Sequence, residues 1–62
     1  MDKEKIINIR TSKNYSVYRL SKISGVPKTT IHDIEKGKND NPRIKTVKAI
    51  AKALEVDINE II

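Results

Sequence analysis

The stretch LSKISGVPKTTIHDIEKG, Leu20 to Gly37, decides how this chain folds. It reads as two short helical patterns interrupted at Ser24-Gly25-Val26-Pro27. Gly25 offers the positive φ that a sharp turn demands. Pro27 suits the first turn of the second helix, where it has no N–H to waste. Ser21 is small where the two helices would approach closely. Val26, Ile31 and Ile34 point back to a core. Lys28, Thr29, His32, Asp33 and Lys36, spaced 1, 3, 1 and 3, then occupy the opposite face of the second helix.

Outward from this corner, periodicity and breakers predict an all-α chain of five helices with no strand. The first spans about Asp2 to Lys13. Ile6 and Ile9 share its face, and Asp2 and Glu4 suit the positive end of its dipole. Asn14 can take the left-handed conformation and end it. The second starts after Ser16, a good N-cap, and reaches about Ser24, with Leu20 and Ile23 as its apolar face. The third spans about Lys28 to Lys36, closed by Gly37. KNDN, Lys38 to Asn41, is a polar loop. Pro42 opens the fourth helix, which runs to about Leu54 on the stripe Ile44, Val47, Ile50, Ala51 and Leu54. The fifth is short, Ile58 to Ile62, with Asp57 as its cap.

The bulk numbers narrow the class. With 62 residues the chain is a single domain, residues 1–62. A fold of this size buries only about 60% of its unfolded surface, so its stability is marginal. It has no Cys, hence no disulfide and no thiolate metal site. No apolar run approaches the ~20 residues that span a bilayer. MDKEKIINIR shows no apolar signal region, and a cytoplasmic protein is expected. Net charge is +5 and uneven: residues 1–53 carry all thirteen Lys and Arg against five acids, and residues 54–62 carry three acids and no base. A basic body suits a polyanion.

Two helices joined by a tight glycine-containing turn form a helix-turn-helix, and the outward face of its second helix is short-chained at its centre and basic at both ends. A major groove about 12 Å wide admits such a helix. Lys28 can donate to guanine O6 or N7. Thr29 can bond a base edge or touch a thymine methyl. Asp33 can accept from cytosine N4, and His32 can do either job. Lys36, Lys38 and the N–H groups of the following loop suit phosphates.

The chain resembles the Cro/phage-repressor (XRE-like) helix-turn-helix family, from about Ile6 to Ile62, through IRTSKNYS, LSKISGVPKTTIHDIEKGK and NPRIKTVKAIAKALEVDINEII. The resemblance implies a compact lambda-repressor-like domain whose helix 3 reads bases with Lys28, Thr29, His32 and Asp33. It assigns backbone contacts to Ser16, Val17, Lys36, Lys38 and Arg43, and implies a partly buried ion pair between Arg10 and Glu35. Unpaired with burial, Arg10 and Glu35 would be an ordinary surface pair. Family members often carry Gln where Val17 stands, so only the Val17 N–H carries over. Pro27 replaces a usual Ser or Thr cap, and Asp33 places an acid in a face that approaches a polyanion.

Plainer readings stand beside these. His32 is alone, with no second His and no Cys, so neither a metal nor another cofactor is expected. His32, Asp33, Thr29 and Thr30 could be solvated surface residues; Thr30 and Tyr18 are otherwise candidates for phosphate contact. Tyr15 fills the corner after Asn14. NYS, Asn14 to Ser16, is formally a glycosylation sequon, with nothing else pointing to secretion. No triad, carboxylate pair or phosphate-cradling loop suggests an enzyme. Ile58, Ile61 and Ile62 either complete the core or pair two copies, since helix-turn-helix proteins bind half-sites about 34 Å apart as dimers. The sequence therefore predicts a sequence-specific regulator of double-stranded DNA, of prokaryotic or phage type, acting as a repressor and as a homodimer on DNA. The alternative is a protein-binding antitoxin or adaptor module on the same fold.

Overall fold

In the computed structural model, which describes residues 1–62, four α-helices and one 3-10 turn follow each other along the chain. They are α1 (Lys3–Ser12), α2 (Val17–Ser24), α3 (Lys28–Glu35), α4 (Ile44–Leu54) and the turn Ile58–Glu60. No strand is present. No helix is long and apolar enough to cross a membrane.

The boundaries follow from local chemistry. Asp2 lies outside α1 and caps it, its carboxylate accepting from the Lys5 N–H at 3.1 Å. Asn14 ends the segment at φ 61°. Ser16 caps α2 by accepting from the Arg19 N–H at 3.0 Å. Gly25 closes α2 at φ 77° and donates to the Ser21 carbonyl at 2.9 Å. A Cβ at Gly25 would meet nothing within 4 Å, so glycine is needed there for its dihedral and not for space.

Several expected boundaries shift. Pro27 is the N-cap of α3 rather than a residue of its first turn, at φ −55° and ψ 140°, with no capping side chain. Lys36 follows α3 as its C-cap, and Gly37 turns away at φ 79°. Pro42 does not open α4; Arg43 is the N-cap and the helix starts at Ile44. The expected fifth helix is a single 3-10 turn. Asp57 does cap it, accepting from the Asn59 N–H at 2.9 Å. Five residues form too few i→i−4 bonds to offset helix nucleation, and the tighter turn swings Ile61 inward.

One core joins every element. Ile6, Leu20, Ile31, Ile34, Ile50, Leu54 and Ile61 are sealed from solvent, each worth roughly 1.5–3 kcal/mol of apolar burial. Two apolar assignments fail. Ile23 is 46% exposed, because α2 packs on α3 and α4 through its Val17, Leu20, Ser21 and Ser24 side. Ile44 is 60% exposed at the very start of α4, while Ala53, outside the expected stripe, is buried. The two chain ends meet: the Asp2 N–H donates to the Ile61 carbonyl at 2.8 Å.

Candidate nucleic-acid interface

The outward face of α3 is built by elimination. Ile31 and Ile34 anchor the helix in the core, so residues about 180° away must project. Lys28, Thr29, His32, Asp33 and Lys36 are all exposed. Because Pro27 supplies no capping side chain, the N–H groups of Lys28, Thr29 and Thr30 have no partner within the fold. The positive end of α3 is therefore open beside Lys28 and Thr29. Thr30 lies elsewhere: it is half-buried and faces a hollow shared with Lys45 and Thr46 at the start of α4.

The start of α2 forms a second open helix end. Once Ser16 Oγ has accepted from Arg19, its O–H proton remains free to donate outward. The N–H groups of Val17 and Tyr18 are also unpaired. The Val17 side chain packs against the core, so only its backbone N–H is open. Tyr18 is exposed, with Lys22 Nζ 5.2 Å from its ring centroid.

The loop after α3 departs from expectation. The Lys38 and Asn39 N–H groups both donate to the Asp33 carbonyl, at 2.8 and 3.1 Å. The Gly37 N–H is bonded to the Ile34 carbonyl. These donors hold the loop shut and are not free for phosphates. The exposed side chains of Lys36, Lys38 and Arg43 are what this end offers.

An ion pair fixes α3 from behind. Arg10 Nε donates to Glu35 Oε2 at 2.8 Å, and a second guanidinium nitrogen donates to Glu35 Oε1 at 3.0 Å. The third nitrogen donates to the Tyr15 carbonyl at 2.7 Å. The two side chains retain only 13% and 10% exposure. A forked, three-bonded guanidinium is the geometry in which a part-buried charge is tolerated. It ties α1, the corner at Tyr15 and the last residue of α3 into one unit. The exposed flank of α3 is therefore held from behind by side-chain bonds to α1 and the corner.

The C-terminal isoleucines divide. Ile61 is sealed in the core, so it has no surface to offer a second copy, contrary to the expected dimer contact. Ile58 packs partly against the core. Ile62 is 60% exposed and lines a hollow of about 360 Å³ with Met1, Pro42, Ile44 and Val47. Sequence reasoning also passed over Lys22 and Arg19 on α2. Both are exposed, and the four-residue step from Tyr18 to Lys22, and from Tyr15 to Arg19, was the available signal.

Two helices at a glycine corner, the second with a free polar flank, define a helix-turn-helix domain. Residues 6–61 match the family model described as Helix-turn-helix, and the chain belongs to that family, in its Cro/phage-repressor branch. It is 36% identical over 52 residues to the HTH-type transcriptional regulator SlrR of Bacillus subtilis (strain 168), covering 84% of this chain and 34% of that protein. It is 32% identical over 54 residues to an uncharacterized HTH-type transcriptional regulator of Coxiella burnetii (strain RSA 493 / Nine Mile phase I), covering 87% of this chain and 25% of that protein. The chain thus spans about a third and about a quarter of the length of these relatives. No solved structure matches at a comparable level.

Proposed function

We propose that this domain binds double-stranded DNA sequence-specifically and regulates transcription, as a repressor that occupies its site and excludes other proteins. The carrying observation is the exposed flank of α3, with Lys28, Thr29, His32 and Asp33 on a helix braced by Arg10 and Glu35. In this reading α3 enters the major groove. Lys28 and Thr29 read base edges, while His32 and Asp33 discriminate further along the helix. Ser16, the Val17 N–H, Tyr18, Lys36, Lys38 and Arg43 meet the backbone on either side. Thr30, half-buried and turned toward α4, falls outside that set. The relatives' description as transcriptional regulators supports the same reading.

Two copies bind together. The exposed Ile44 and Ile62, with Pro42 beside them, form the apolar surface through which a second protomer would pack. An isologous contact there would set two α3 helices on successive turns of duplex, about 34 Å apart.

Selection of bound duplexes from a random pool tests the proposal. Enriched inverted repeats are expected, and a pool that stays random refutes sequence-specific binding. Two substitutions separate reading from clamping. Thr29→Ala relaxes preference at one position, whereas Lys38→Ala weakens every sequence alike and flattens the salt dependence. A dimer neutralising about eight phosphates gives a log–log salt slope near −7. If both variants bind as the parent does, α3 is not the reading helix.

A further inference from the structure

We propose that Lys22, in the middle of α2, makes a phosphate contact of its own and positions the start of α3 on the duplex. This rests on the DNA-binding reading above and adds to it a residue outside both helix ends. Tyr18 and Lys22 lie one helical turn apart on the same exposed flank of α2. An open groove of about 490 Å³ runs from them past Gly25 and Pro27 to Lys28, where the base-facing surface begins. No acidic side chain lines this groove. Neither Lys22 nor Lys28 is engaged in an ion pair. Two uncommitted cations thus face one concave, acid-free surface, whose complement is a line of anions.

The groove's position selects the occupant. One wall is α2 and the other is the first residue of α3, so a strand passing beside the base-facing helix must follow it. The distance from Ser16 to Lys22 along α2 is about 9 Å, at 1.5 Å per residue. A DNA strand carries one phosphate per ~3.4 Å of helix axis. Lys22 therefore meets a different phosphate from the one at the Ser16 hydroxyl and the free N–H groups of Val17 and Tyr18. The ring of Tyr18, 5.2 Å from the ammonium, holds the long Lys22 chain over the groove before DNA arrives. That reduces the rotamer freedom lost on binding. With both ends of one strand segment fixed along α2, the angle at which Lys28 and Thr29 enter the groove is set.

The test uses the full chain, its selected duplex and a scrambled duplex, with affinity read by fluorescence anisotropy between 50 and 200 mM salt. Lys22→Gln is expected to lose affinity for both duplexes, and by the larger factor for the selected one, whose bases Lys28 and Thr29 no longer meet at the set angle. Its salt slope becomes shallower by about 0.9 for each protomer bound, so its deficit shrinks ~3.5-fold per protomer across that fourfold salt range. Lys22→Arg restores the parental slope. Lys38→Gln serves as the reference for a phosphate contact already assigned. A Lys22→Gln slope equal to the parent's, while Lys38→Gln flattens it, overturns the role of Lys22 and leaves the DNA-binding reading intact. A parent chain that binds neither duplex overturns that reading first. Thermal melts of each variant are expected to match the parent's, since Lys22 is exposed and lies outside the core.

Discussion

Replacing Glu35 with alanine removes the acceptor of two hydrogen bonds and strands the Arg10 guanidinium in a site where it keeps 13% exposure. One partner survives, the Tyr15 carbonyl at 2.7 Å. Breaking one side of such a pair costs about 3–5 kcal/mol, because the remaining charge stays largely buried without its counter-ion. A 62-residue domain has a total stability of about 3–9 kcal/mol at 0.05–0.15 kcal/mol per residue. The single substitution therefore consumes a third or more of what holds the fold together. Equilibrium urea unfolding followed by far-ultraviolet circular dichroism measures it. The midpoint should fall by about 2–5 M if m is near the low end of the usual range, ~1–1.5 kcal/mol/M. In a thermal melt the drop should be at least about 12 °C, at 4–8 °C per kcal/mol for a domain of this size. The double variant Arg10→Met with Glu35→Leu removes both charges at similar volume and should recover most of the loss. A Glu35→Ala loss under ~1 kcal/mol, the range of exposed pairs, would refute the argument. So would a double variant no better than the single one, which would place the cost in packing and not in the orphaned charge.

Four further outcomes follow from the same geometry. Glu55 ends α4 at φ 60°, and its ion pair with Lys13 is long, 3.8 Å, and mostly solvated; Glu55→Gly should raise the melting temperature by a few degrees, up to about 1 kcal/mol of relieved strain net of unfolded-state entropy. Gly25→Ala, at φ 77° with open space around it, should lower it by a similar amount, and equal effects of opposite sign in differential scanning calorimetry would assign both to the dihedral. Ile44→Glu with Ile62→Glu should leave the melting temperature of the free chain unchanged while abolishing the binding of two copies to one duplex in sedimentation equilibrium, whereas Ile61→Ala should cost about 2–5 kcal/mol; a dimer on DNA that survives the first pair of changes places the interface elsewhere.

The helix ends that depend on a side-chain cap or a positive φ were legible because they are local events. Ser16 and Asp57 cap with their own side chains within three residues, and Asn14 and Gly25 take the positive φ their chemistry tolerates; Asp2, expected as the first residue of α1, caps it from outside. The outward face of α3 was legible for the same reason, since Ile31 and Ile34 fix which side turns inward. Other features depend on what lies across space. Ile23 and Ile44 have the right spacing for burial, yet no neighbour covers them. Ile61 and Ile62 are adjacent and identical in chemistry, and only the position of the closing turn puts one in the core and one in solvent.

Sequence by itself determined that this is a small, basic, all-α chain with a glycine corner and a polar helix flank, because caps, periodicity and charge are properties of near neighbours. Tertiary structure alone decided which donors stay free. The N–H groups of Lys38 and Asn39 close on the Asp33 carbonyl, while those of Val17, Tyr18, Lys28 and Thr29 remain open. It also decided that Arg10, 25 positions away from Glu35, reaches it with a fork of two bonds. Hydrogen bonding is a competition among all groups within about 3 Å, and that competition is settled only when the helices are packed.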